Sequence, residues 1–120
     1  MKNVLVVDDD YMSREMMETV LKRSGYASSM AVSGEGALSF LQTQTPDMIL
    51  MDARIGEPDG FETCAQIKSD PATQDIPVII LTSLNSAADI QRAADVGANG
   101  FYYKNNGWQG LIEAIRELIG

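Results

Sequence analysis

Five polar residues stand directly after apolar runs. Asp8 and Asp9 follow Val4-Leu5-Val6-Val7, Asp52 follows Met48-Ile49-Leu50-Met51, Thr82 follows Val78-Ile79-Ile80-Leu81, and Lys104 follows Phe101-Tyr102-Tyr103. If these runs are strands of an open parallel sheet, their carboxyl ends share one edge, and ligands bind in the crevice just outside that edge. Residues far apart in the chain then meet in one pocket that offers three carboxylates, a hydroxyl and an ammonium. A carboxylate such as Asp52 can attack phosphorus to give an acyl phosphate, but nucleophile and phosphoryl group are both anions, so a cation must lie between them. Mg2+ suits the task because it takes oxygen ligands and is commonly held by one or two carboxylates plus phosphate oxygens. Asp8 and Asp9 supply the anions to hold it. Lys104 adds a compact second positive charge, and the Thr82 hydroxyl can hydrogen-bond a phosphoryl oxygen.

The rest of the chain supplies elements able to position these groups. Strand-like apolar runs alternate with segments of helical period, the pattern of βαβ units. Met12, Met16 and Val20 recur at i+4 beside Met17 and Leu21, and Gly25 closes that helix. A second strand is predicted over Tyr26 to Val32, followed by a short helix capped by Ser33 and barred from continuing by Pro46. Asp59 and Glu62 have capping-box spacing ahead of a third helix that ends before Asp70-Pro71. Ser86 to Val96 reads as the fourth helix, Phe101 to Tyr103 as the fifth strand and Gly107 to Ile119 as the last helix. Asp10 is read as an acid at the N-terminus of the first helix, favoured there by the macrodipole, and Trp108 as a residue packing at the start of the last helix or meeting a partner. All the strands that carry the pocket residues look buried. The expected class is α/β, a (βα)5 three-layer sandwich occupying residues 1–120 as one domain without linker or tail.

Composition narrows the function classes. The net charge is −8, from 17 acidic and 9 basic residues, and no Lys/Arg cluster marks a face that could follow a phosphate backbone, so direct nucleic-acid binding is not expected. Cys64 is the sole cysteine, and neither a signal peptide nor an apolar run of transmembrane length occurs in the sequence. A cytoplasmic protein without membrane insertion is expected.

Val6-Val7-Asp8-Asp9, the Met51-Asp52 strand end, Asp59-Gly60, Pro77 through Thr82-Ser83, and Lys104 together resemble the receiver domain of two-component response regulators. Each motif alone is weak; their order along the chain makes the resemblance specific, and it covers essentially the whole sequence. The resemblance implies a flavodoxin-like parallel sheet of strand order 2-1-3-4-5. It implies that Asp52 accepts phosphate from a sensor histidine kinase or phosphotransfer protein. Asp8, Asp9, Asp52 and the backbone carbonyl of Arg54 would be the Mg2+ ligands, with Lys104 and Thr82 assisting the transfer. Thr82 and Phe101 would form a switch pair that reshapes the face made by the fourth helix, fifth strand and fifth helix for a downstream protein target. Such a chain acts as a signalling receiver rather than an enzyme on other substrates, as a monomer or weak dimer.

Two departures from the family pattern stand out. Receivers usually carry Pro after the lysine, with a cis peptide between them, whereas Asn105 follows Lys104 here. A cis bond before a non-proline residue costs ~2.5–4 kcal/mol, so a trans Lys104-Asn105 bond is expected. Gly56 stands where the family commonly has Pro, with Pro58 two residues later. Two readings from other classes fit less well. A haloacid-dehalogenase-type phosphatase would want Thr or Val where Met12 stands, and a flavodoxin-type electron carrier would need a hydroxyl- and glycine-rich loop where this chain is acidic. The alternative that remains is a degenerate receiver that binds proteins without being phosphorylated.

Overall fold

The computed structural model describes residues 1–84 and 86–120. Strands β1 (Asn3–Val7), β2 (Ala27–Ala31), β3 (Met48–Asp52), β4 (Val78–Thr82) and β5 (Gly100–Tyr103) alternate with helices α1 (Tyr11–Arg23), α2 (Gly34–Leu41), α3 (Gly60–Ser69), α4 (Ala87–Asp95) and α5 (Trp108–Ile119). A single turn of 3-10 helix, Lys104–Asn106, joins β5 to α5. The strands form one parallel sheet in the order β2-β1-β3-β4-β5.

Because successive strand residues face opposite sides of a sheet, each inner strand feeds two cores. Leu5, Val7, Ile49, Met51, Val78 and Ile80 join Ala37 of α2, Phe61, Cys64 and Ile67 of α3, and Ala93 of α4. Val4, Val6, Met48, Leu50, Ile79 and Leu81 join Met17 and Leu21 of α1 and Leu111, Ile112 and Ile115 of α5. The sheet is thus covered on both faces, which is why its inner strands read as continuous apolar runs rather than alternating ones.

The helix boundaries follow the local chemistry. The side chains of Asp10, Ser33, Asp59 and Ser86 accept hydrogen bonds from the backbone amides of Ser13, Gly36, Glu62 and Asp89, and Asp59 with Glu62 closes a full capping box. At the end of α1, Gly25 adopts φ +90° while its amide donates to Lys22 and that of Tyr26 donates to Leu21, a Schellman stop. Tyr26 is consumed by this stop, so β2 begins at Ala27 rather than at Tyr26, and Val32 lies beyond its end. The expectation of uniformly buried strands fails at β5. Its residues are all half-buried because β5 lies at the edge of the sheet.

Candidate functional site at the carboxyl edge of the sheet

The parallel order places the ends of β1, β3, β4 and β5 along one edge, and the expected residues meet there. Asp8 follows β1 and is buried; its backbone amide donates to the Ala31 carbonyl at 3.1 Å, and its Oδ1 accepts from the Asp10 amide at 2.9 Å. Arg14 clamps the same turn from α1, its Nη1 donating to the Asp8 carbonyl at 2.8 Å. Asp9 is exposed at the rim. Asp52 ends β3 and lies beside β4, with the Ala53 amide donating to the Leu81 carbonyl at 2.8 Å. One oxygen from each of Asp8, Asp9 and Asp52 falls within 4.8 Å of the others.

Lys104 completes the cluster from the far side. Its Nζ lies 3.3 Å from Asp52 Oδ2 and 3.8 Å from Asp8 Oδ2. The Lys104-Asn105 bond is trans, as expected; among the described residues the cis peptide is Glu57-Pro58. The turn that delivers the lysine is held without proline. The Asn105 amide group donates to the Tyr103 hydroxyl, the Tyr102 hydroxyl donates to the Gly107 carbonyl at 2.6 Å, and Gly107 takes φ +87° to enter α5.

Burial raises the pKa of the Asp52 carboxyl; Lys104 opposes the shift and Asp8 adds to it. A half-buried carboxylate beside another carboxylate is a site that added positive charge relieves. The donor set, three carboxylates with oxygens close enough to share one ion, therefore fits a small divalent cation.

Thr82 is buried at the end of β4. Its Oγ1 accepts from the Leu84 amide at 3.1 Å and from Arg54 Nη1 at 3.4 Å, and among the described residues its own hydroxyl donates to none. Phe101 pairs with Ile80 on β4 and is half-buried against the core shared with α2, α3 and α4.

The side chain of Arg54 is a feature the sequence does not reveal. Besides Thr82, its guanidinium meets Asp89 in the first turn of α4, where Nη2 is 2.9 Å from Oδ2 and donates to Oδ1 at 3.2 Å. Asp89 is an acid in the first turn of α4. Its pairing depends on where α4 starts relative to the loop after β3, and a 35-residue separation leaves no periodicity from which to infer it.

Comparison with known proteins gives this site a setting. The response regulator receiver domain family matches residues 4–116. The chain belongs to that family. The receiver is 39% identical over 116 residues to a gliding motility regulatory protein of Myxococcus xanthus, covering 96% of this chain and 15% of that protein. It is 35% identical over 119 residues to the transcriptional regulatory protein AfsQ1 of Streptomyces coelicolor, covering 99% of this chain and 52% of that one. The chain thus spans about half or less of these relatives. Among solved structures, the receiver domain of sensor histidine kinase PA1611 from Pseudomonas aeruginosa superposes with a TM-score of 0.90 at 25% identity, over 99% of this chain and 98% of that one, and holds a magnesium ion in its active site cleft. The receiver has the flavodoxin-like fold of two-component signalling modules, with an acidic pocket at the sheet edge. No helix among the described residues is long and apolar enough to cross a membrane.

Proposed function

We propose that residues 1–120 form a phosphoacceptor receiver in which Asp52 takes a phosphoryl group from a sensor histidine kinase or phosphotransfer protein. The observation that carries this reading is Asp52 itself: a carboxylate at the pocket floor, within reach of two further carboxylates and 3.3 Å from an ammonium. Asp8, Asp9, Asp52 and the Arg54 backbone carbonyl would hold Mg2+, as the pocket of the Pseudomonas domain holds magnesium. When bound, the ion offsets the charge of the incoming phosphoryl oxygens.

The chain's own groups account for the remaining steps. An Asp52 oxygen attacks phosphorus in line with the P–N bond of a phosphohistidine, or the P–O bond of a small acyl phosphate. That bond breaks and its electron pair leaves with the donor. Lys104 stabilises the charge on the transferring group, and the Thr82 hydroxyl proton is donated to a phosphoryl oxygen. Thr82 then turns toward the pocket and Phe101 moves inward behind it, altering the face formed by α4, β5 and α5, where a downstream protein binds. The acidic surface supports a protein target rather than nucleic acid. The expected setting is the cytoplasm, with the receiver monomeric or weakly dimeric.

Incubation with acetyl phosphate and Mg2+, followed by intact mass measurement, tests the proposal. The native protein should gain the mass of one phosphoryl group and Asp52→Asn should gain none. A folded native protein of unchanged mass would instead support the degenerate, phosphorylation-independent module.

A further inference from the structure

The Arg54 guanidinium touches three parts of the fold at once. It is anchored in the loop after β3, donates to Thr82 at the end of β4, and pairs with Asp89 in the first turn of α4. The partners differ in their access to water. The Arg54 side chain is about half exposed (52%), whereas that of Asp89 is only 11% exposed. Among the described residues Asp89 Oδ2 accepts no hydrogen bond; it lies 2.9 Å from Arg54 Nη2 but off the hydrogen-bonding direction, held by charge. Among the described residues Arg54 is the cation paired with Asp89. Asp89 therefore tolerates its burial only while Arg54 stays, whereas the half-exposed Arg54 guanidinium can reach water or another anion without being desolvated itself.

We propose that Arg54 is a phosphoryl-responsive latch: at rest its side chain ties α4 through Asp89 and holds Thr82, and a phosphoryl group on Asp52 draws the guanidinium away. This inference rests on the phosphoacceptor reading above. The drive is electrostatic. A phosphoryl group brings up to two negative charges and three acceptor oxygens, against the single charge of Asp89, and the planar guanidinium matches its geometry. Thr82 is the shared pivot, because the hydroxyl that turns toward the phosphoryl group is the one that Arg54 holds at rest. Once Arg54 leaves, the tie between the loop after β3 and α4 is gone and the Asp89 carboxylate has lost its counter-charge, so the first turn of α4 loosens. The same event thus marks Asp52 and loosens α4.

Amide hydrogen exchange over residues 86–95, with and without Mg2+ and beryllofluoride as phosphoryl mimic, tests the latch, while 19F NMR reports whether the mimic is bound. Asp89→Asn and Arg54→Gln at rest should exchange about fivefold faster across α4 than the native chain, since each cuts the tie. Beryllofluoride should raise native α4 exchange to the same level and leave both variants unchanged. Protection of β1 and β3 serves as the control for an intact fold. Should one variant lose that protection, the other carries the comparison, and the native response to beryllofluoride is needed in either case. Bound mimic with native α4 unchanged or more protected overturns the latch alone, as does a variant that is folded and no faster at rest. Absence of a 19F signal from bound mimic overturns the phosphoacceptor reading, and the latch with it.

Discussion

Asp52 combines burial with a neighbouring carboxylate, and this makes its charge costly until a cation arrives. Burial is the main cause of its raised pKa, from an ordinary value of 3.8. An acid whose folded pKa is raised binds its proton more tightly in the native state than in the unfolded chain, so the charged form destabilises the fold. The cost is absent below the unfolded value and develops as pH rises through the higher folded value. Without Mg2+, Asp52→Asn should therefore melt above the native protein at pH 7, and the gap should close as pH falls toward 3.8. Thermal unfolding across that range checks it; a gap that does not change with pH would assign the difference to packing instead. The meeting of Asp8, Asp9, Asp52 and Lys104 was legible because each follows an apolar run, and strand ends must converge in a parallel sheet. The Arg54 side chain was not, because its partners Thr82 and Asp89 are set by the tertiary placement of a loop and a helix turn.

At the scale of elements, the joint between β3 and α3 holds Asp52 against the helix that follows. The Gly60 amide donates to the Ala53 carbonyl at 2.9 Å, and a Cβ at residue 60 would overlap the Asp52 carbonyl oxygen and press on Ala53. Both obstacles are backbone, so neither can rotate aside. Gly60→Ala should cost about 1–3 kcal/mol in urea unfolding, as overpacking does, and should slow phosphorylation by moving Asp52. Unchanged stability and rate would mean that the joint has slack. Asp59-Gly60 could be read in the sequence as a helix start, but the reason for glycine lies in the closeness of two backbones, which no spacing reports. Strand β5 shows the same limit. Its aromatic residues predicted a buried strand, and only the sheet order reveals it as a half-exposed edge. The caps at Ser33 and Asp59, by contrast, are local chemistry and were found where the sequence put them, whereas Ser86, read as the first residue of the fourth helix, is its cap.

For the whole molecule, the sheet brings three carboxylates into one cluster at the cost of mutual repulsion, so a ligand bound only by the folded state should add stability. Mg2+ at a hundredfold excess over its dissociation constant should stabilise the protein by about 2.7 kcal/mol. The gain should shrink sharply in Asp8→Ala and Asp9→Ala; equal gains in those variants would place the ion elsewhere. The alternation of strands and helices was legible from the apolar runs and helical periods, whereas the strand order 2-1-3-4-5 came only with the resemblance to receivers. The most direct test of the central claim is to locate the acyl phosphate. After treatment with acetyl phosphate and Mg2+, borohydride reduction converts a phosphorylated aspartate to homoserine, which peptide mass spectrometry can place. The modification should fall on Asp52 alone and require Mg2+; homoserine at Asp8 or Asp9, or none at any aspartate of the folded protein, would contradict it.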